Sequence, residues 1–241
     1  MPKGIESYIY EILTILVEKA EPLGSGQLSQ FMHVKGFSIS EATVGRILSQ
    51  LDKKNLTEKL GFQGRIITNN GREKLARMQN FQERRKSGKQ FIEILESLKE
   101  KDLLDVLIAR KAIERELARL AALYSTEAEI KLLETVLAEQ QELSVRKKLT
   151  AEHDVKFHKT LAVAGKNKVL AAAMDLIRHN AQLSPILEYI RTQMGGELVV
   201  GHSEIVKAIK LRNPDQAERA MIQHIESLIQ DVKRYWSIAK I

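Results

Sequence analysis

The chain has 241 residues, of which 44% are hydrophobic and 5% aromatic, with 4 Pro, 13 Gly and no Cys. That composition suits one or two helix-rich domains, and it excludes disulfides and thiolate metal sites. A net charge of +7, with 14 Lys/Arg against 9 Asp/Glu in residues 1–88, favours a polyanionic partner without choosing among DNA, RNA and acidic membranes.

Ile5, Tyr8, Ile9, Ile12, Leu13 and Leu16 recur at helical spacing, and Pro22-Leu23-Gly24-Ser25-Gly26 ends that helix. Ser25 is placed to cap a second helix over Gln27 to about His33. Ser40 precedes a third, Glu41–Lys54, with Val44, Ile47, Leu48 and Leu51 on one stripe. Leu56–Leu60 and Arg65–Thr68 then read as two strands joined by Gly61-Phe62-Gln63-Gly64. Helix, turn, helix and a two-stranded wing make a winged helix-turn-helix over 1–76.

Residues 77–100 are highly charged and helix-favouring, a connector whose soft point is Ser87-Gly88. Beyond it the pattern predicts six helices: Asp102–Tyr124, Thr126–Lys148, Ala151–Ala164, Lys168–Thr192 kinked at Pro185, Gly201–Leu211 and Pro214–Ser237. Asn213-Pro214 is a capped helix start. The fold class is mainly α: a winged helix followed by an all-α bundle over 101–241. No apolar run reaches the length of a membrane span, and no leader pattern opens the chain. Both predict a soluble, unprocessed cytoplasmic protein with no membrane partner.

In a winged helix the second helix of the pair enters the major groove with its N-terminal residues near base edges. Burying Val44, Ile47, Leu48 and Leu51 leaves Ser40, Thr43, Arg46, Gln50 and Lys53 facing outward. Arg46 then suits a guanine edge or a phosphate. Arg65, on the second strand, suits a phosphate or the minor groove. The competing reading makes each of these an ordinary solvated charge, or makes the module a protein-docking surface.

Six histidines are present. Asp154 and His158 lie four apart, on one helix face and close enough to share an ion. His202 and His224 sit on consecutive helices whose antiparallel packing would bring them to one depth. One Asp and three His suit a borderline divalent ion, Zn²⁺, Ni²⁺ or Mn²⁺. On spacing alone, however, interior histidines are more often satisfied core residues than ligands.

Two resemblances sharpen these readings. Residues 8–75 resemble the winged helix of archaeal nitrogen-regulation repressors and of some exoribonuclease N-termini. The pattern is carried by Ile12-Leu13, Leu23-Gly24-Ser25, Thr43-Val44-Gly45-Arg46, Leu51-Asp52, Gly64 to Thr68 and Gly71. It departs from the usual GntR-type reader, in which an Arg follows the Thr-Val pair directly. Residues 102–232 resemble the FadR C-terminal (FCD) ligand-binding domain of GntR-superfamily regulators. Three blocks carry that likeness: Arg110…Ile113-Glu114 with Ala118 and Leu120-Ala121-Ala122; Asp154…Phe157-His158 with Leu161, Ala164, Asn167 and Leu170; and His202…Ile205…Ala208-Ile209…Ala217…Ala220-Met221…His224.

The metal-containing branch of that family implies Asp154, His158, His202 and His224 as ligands, with Arg110 and Asn167 at the effector. The sequence departs from the family pattern at Lys166 (usually Gly), Gly201 (commonly Glu) and Asn213 (commonly Asp). Of the other histidines, His33 is expected at a helix end, His153 pointing away from the ligands, and His179 at the pocket or on the surface. The reading that follows is a ligand-responsive repressor. It binds double-stranded operator DNA as a homodimer and senses a small organic acid at a metal-assisted site. The alternatives are a metal-dependent enzyme using the Asp/His set, and a constitutive DNA-binding protein with a structural metal.

Overall fold

The computed structural model describes residues 4–146, 148, 150–178, 183–196 and 201–239. They fall into two compact units, Met1–Gln90 and Phe91–Ile241.

The first unit is built from α1 (Ile5–Lys19), α2 (Ser25–Val34), α3 (Glu41–Lys53), β1 (Thr57–Leu60), β2 (Gly64–Ile67) and most of α4 (Asn69–Leu95). The predicted stripes close on one core that includes Ile12, Leu13, Leu16, Leu28, Met32, Val44, Leu48 and Leu51. Its second helix starts earlier than expected. Gly24 is the N-cap, and the Gln27 side chain reaches back to accept from the Gly24 N–H at 3.0 Å, a job sequence reading gave to Ser25. β1 and β2 pair antiparallel, Thr57 opposite Ile67 and Leu60 opposite Gly64. Leu23 adds a short third edge, exchanging backbone hydrogen bonds with Arg65 at 2.9 and 3.0 Å. Gly64 is required there. Its φ is +124°, and a Cβ would lie 2.4 Å from the Leu23 carbonyl carbon.

α4 runs unbroken through Ser87 and Gly88, so the expected soft point lies inside a continuous helix. Much of its length is solvent-exposed.

The second unit contains α5 (Glu100–Tyr124), α6 (Glu127–Val145), α7 (Ala151–Ala164), α8 (Lys168–Arg178), α9 (Leu183–Gln193), α10 (His202–Lys210) and α11 (Pro214–Ala239). Over 168–192, where one helix kinked at Pro185 was expected, the described residues are helical as α8 and α9, and positions 179–182 between them lie outside the described residues. Pro185 lies in α9. Thr126 and Glu129 form a reciprocal cap on α6. Asn213 Oδ1 caps α11 through the Gln216 N–H at 3.1 Å. α5 lies against α11, α7 and α8, and α10 packs on α11, around Leu107, Leu117, Phe157, Leu161, Ile205, Met221 and Ile225. These contacts bring the interior faces of α5, α7, α10 and α11 together. No described helix is long and apolar enough to cross a membrane.

Candidate functional site

Four of the sequence-named residues meet in the core of the second unit. α7 supplies Asp154 and His158 one turn apart, α10 begins at His202, and α11 supplies His224. One ligand atom from each lies within 4.8 Å of all the others. All three histidines are buried, and Asp154 is partly so. His202 stacks on Phe157 with ring centroids 4.0 Å apart and planes 16° apart, which fixes its ring. Gly201, at φ +97°, lets the chain enter α10 past His224, whose Cβ would lie 3.0 Å from any Cβ placed there.

The hydrogen bonds decide which imidazole atoms are bare. His202 Nδ1 is 2.8 Å from Gln140 Oε1. Burial first, then the neighbouring His224 and His158, holds the His202 pKa well below its ordinary 6.5, so the ring is neutral. A neutral ring that donates through Nδ1 has a lone pair at Nε2. His158 Nδ1 contacts Glu114 Oε2, an acceptor, which likewise turns its bare Nε2 inward. The two Nε2 atoms lie 3.2 Å apart, and Asp154 Oδ1 lies 3.4 and 3.6 Å from them. Two imidazole nitrogens and a carboxylate oxygen converging in a buried space need a positive centre among them, either a proton shared between the two Nε2 atoms or a cation in its place. The donor set therefore fits a divalent ion of the zinc, nickel or manganese kind.

Around this cluster lie groups that spacing did not single out. Arg178 of α8 is buried, and its Nη1 donates to Asp154 Oδ2 at 2.9 Å. Burial would raise the Asp154 pKa, but the Arg178 charge, with His158 and His202, outweighs it and keeps the carboxyl well below its ordinary value. Glu114 behaves in the same way: burial is overcome by Arg110, His158 and Arg178, so it stays ionised. Arg178 is itself pushed down, by burial and by the charge of Arg110. Two buried guanidiniums thus face one centre. Among the described residues, Arg110 Nη2 and Arg178 Nε and Nη2 have no hydrogen-bond partner. Unmatched buried donors of this kind call for an anion. A small cavity of about 30 Å³ adjoins the cluster, lined by Arg110, Asp154, Glu188, Arg191 and His224 among others.

Asn167 is not in this centre. It is exposed, and its Oδ1 accepts from the Val169 and Leu170 N–H groups, both at 3.1 Å, as the cap of α8. Lys166, in the left-handed region at φ +57°, pairs with Glu129. His33 is exposed and His153 faces Glu139 at 3.8 Å, while His179 lies outside the described residues. Glu114 was legible as the i+4 partner of Arg110. Gln140 and Arg178 come from α6 and α8 with no local spacing to announce them.

In the first unit Ser40 is the N-cap of α3, accepting from the Thr43 N–H. Thr43 Oγ1 accepts from Arg46 Nη2 at 3.1 Å. Arg46, Gln50 and Lys53 are exposed along one side of the helix, and Thr43 is half-buried. Arg65 has a partner within the unit. Its Nε donates to Asp52 Oδ2 at 2.7 Å, beside Thr57 Oγ1 on Oδ1 at 2.6 Å, so it fastens the wing to α3. The exposed tip of the wing is Phe62, which touches no core.

A winged helix joined to a helical bundle with a buried Asp/His₃ centre is the architecture these two units define. The FCD domain matches residues 105–227, just over half of the chain, and the chain belongs to that family. The ribonuclease R winged-helix domain matches residues 10–75. The global nitrogen regulator NrpR of Methanococcus maripaludis is 42% identical over 65 residues, covering 27% of this chain and 12% of that protein. The transcriptional regulator LutR of Bacillus subtilis is 29% identical over 140 residues, covering 56% of this chain and 64% of that protein. The Exu regulon transcriptional regulator of Escherichia coli is 29% identical over 127 residues, covering 51% and 48%. Each of these curated relatives is thus spanned by this chain over less than two thirds of its length. A solved structure described as E. coli McbR/YncC aligns with a TM-score of 0.50 and 13% identity, over 95% of this chain and 99% of that one, a likeness of fold. The named relatives are regulators rather than enzymes.

Proposed function

We propose that the protein is a transcriptional regulator of the GntR type that works in the cytoplasm as a homodimer and represses until a small organic acid binds. The winged helix reads operator DNA through the exposed side of α3, with Ser40, Thr43, Arg46, Gln50 and Lys53 at or near the groove and Phe62 leading the wing. Two-fold symmetry in the protein would match two half-sites. Its relatives are regulators.

The observation that carries the sensing half is the 3.2 Å approach of the His158 and His202 Nε2 atoms beside Asp154. Asp154, His158, His202 and His224 would hold the divalent ion, which supplies a positive charge and open coordination positions for a carboxylate when bound. The chain's own residues do the rest. Arg110 and Arg178 offer unspent N–H groups to the acid, and burial removes competing water. The adjoining cavity holds about one water, so the acid enters only if its wall gives way. That wall includes Glu188 of α9, which accepts from Thr150 N at 2.7 Å and Ala151 N at 2.9 Å and so latches α9 to the start of α7. Displacing that latch is the change the effector would impose. It responds only if the acid binds the opened form better than the closed one.

The test begins with selection of a bound duplex from random DNA, followed by binding anisotropy with a panel of carboxylic acids. Zinc-loaded protein should release the duplex for at least one acid, and Arg110→Ala should hold it. Release by no acid would leave a constitutive DNA-binding protein with a structural metal.

A further inference from the structure

Two buried polar residues touch the histidines from behind and belong to neither the ligand set nor the anion donors. Glu114 of α5 is 1% exposed, and Gln140 of α6 is fully buried. Glu114 spends its two oxygens on two donors: Oε1 on Arg110 Nε at 2.7 Å, Oε2 on His158 Nδ1. Gln140 Oε1 takes His202 Nδ1 at 2.8 Å. Each imidazole can present a bare Nε2 only if something accepts its Nδ1 proton. We propose that Glu114 and Gln140 are positioning residues that fix the tautomers and ring orientations of His158 and His202, turning both Nε2 lone pairs toward Asp154 and setting the affinity of the centre for a divalent ion. Glu114 adds a second function, because the same carboxylate also holds Arg110 in place. The inference rests on the metal reading given above and specifies which residues outside the ligand set make it work.

The chemistry of the substitutions follows from acceptor counting. In Glu114→Gln the side chain keeps one acceptor oxygen for two donors, Arg110 Nε–H and His158 Nδ1–H. One donor is left facing an NH₂ group, and His158 relieves this by moving its proton to Nε2, the ligand atom. In Gln140→Met the His202 Nδ1–H loses its acceptor in a buried site, with volume nearly kept. Gln140→Glu retains an acceptor of the same reach.

The experiment uses the full chain and Zn²⁺ alone, with affinity measured by competition against a chromophoric chelator. The visible spectrum of the Co²⁺ form and the thermal midpoint of the metal-free form are recorded beside it. Glu114→Gln and Gln140→Met should each weaken zinc by about 10–100-fold. Both should also change the Co²⁺ ligand-field band, while Gln140→Glu restores affinity. The metal-free midpoint of Gln140→Met should stay close to that of the wild type. If wild type binds zinc and both variants bind it equally well with unchanged Co²⁺ spectra, the positioning role is overturned while the metal centre stands. If weakened binding in both variants merely tracks loss of the metal-free fold, the residues are structural and the proposal fails. A folded wild type that takes up no zinc would instead overturn the metal reading itself.

Discussion

Arg46 and Arg65 lie on the same unit, and the difference between them is a matter of partners. Arg65 donates to a carboxylate held by two elements, whereas Arg46 reaches only a threonine one turn away. Arg65→Ala is therefore expected to destabilise the winged helix, by about 1–2 kcal/mol after discounting for its partial exposure, read as a lower denaturation midpoint. Arg46→Ala should leave that midpoint unchanged and weaken duplex binding by about tenfold or more. Asn167 gives a similar contrast: its alanine variant should lose about 1 kcal/mol of cap stability and leave metal uptake intact. The titrating residue to watch is His202. Its folded pKa lies below 6.5, so the unfolded chain takes up a proton that the folded one refuses. The metal-free second unit should thus be fully stable above about pH 6.5 and lose stability as the pH falls below it, a slope that denaturation at about pH 7.5 and about pH 5.5 would measure. Asp154 and Glu114, depressed from 3.8 and 4.5, add their loss only at lower pH. The four residues of the Asp/His cluster were legible because each falls inside a spaced motif. The job of Arg65 was not, since an ion pair across 13 residues leaves no periodic trace.

At the scale of elements, amphipathic stripes placed α1, α3, α5, α7, α10 and α11 almost where they are found, because each buries one face. Gly breaks helices in isolation, yet Gly88 lies inside one. Gly88 has open space around its missing side chain. Gly88→Ala is accordingly expected to stabilise the protein by about 0.5–1 kcal/mol in equilibrium unfolding, with DNA binding unchanged. A hinge at Ser87-Gly88 would show the opposite, weaker or unresponsive DNA binding. Gly201 contrasts with Gly88: its positive φ and the closeness of His224 mean that Gly201→Ala should displace α10 and weaken metal uptake.

The described residues divide into two units, each with its own core, and the Asp/His cluster lies in the second. In the sequence, charge and a wing motif concentrate in the first third and the histidine blocks come after it. The sequence did not reveal the second guanidinium at the centre or the latch at Glu188, because both depend on α8 and α9 packing against α7 and not on any local pattern. A ligand that binds one folded unit stabilises that unit by mass action, about 2.7 kcal/mol at a hundredfold excess over Kd. The most direct measurement is the metal content of protein purified without an affinity tag, by elemental mass spectrometry, beside the Asp154→Ala/His202→Ala variant. About one divalent ion per chain in the wild type and none in the variant is the expected result. A wild type that is folded, carries no ion and takes up neither zinc nor nickel on titration would contradict the account, leaving the three histidines as core residues of a DNA-binding protein.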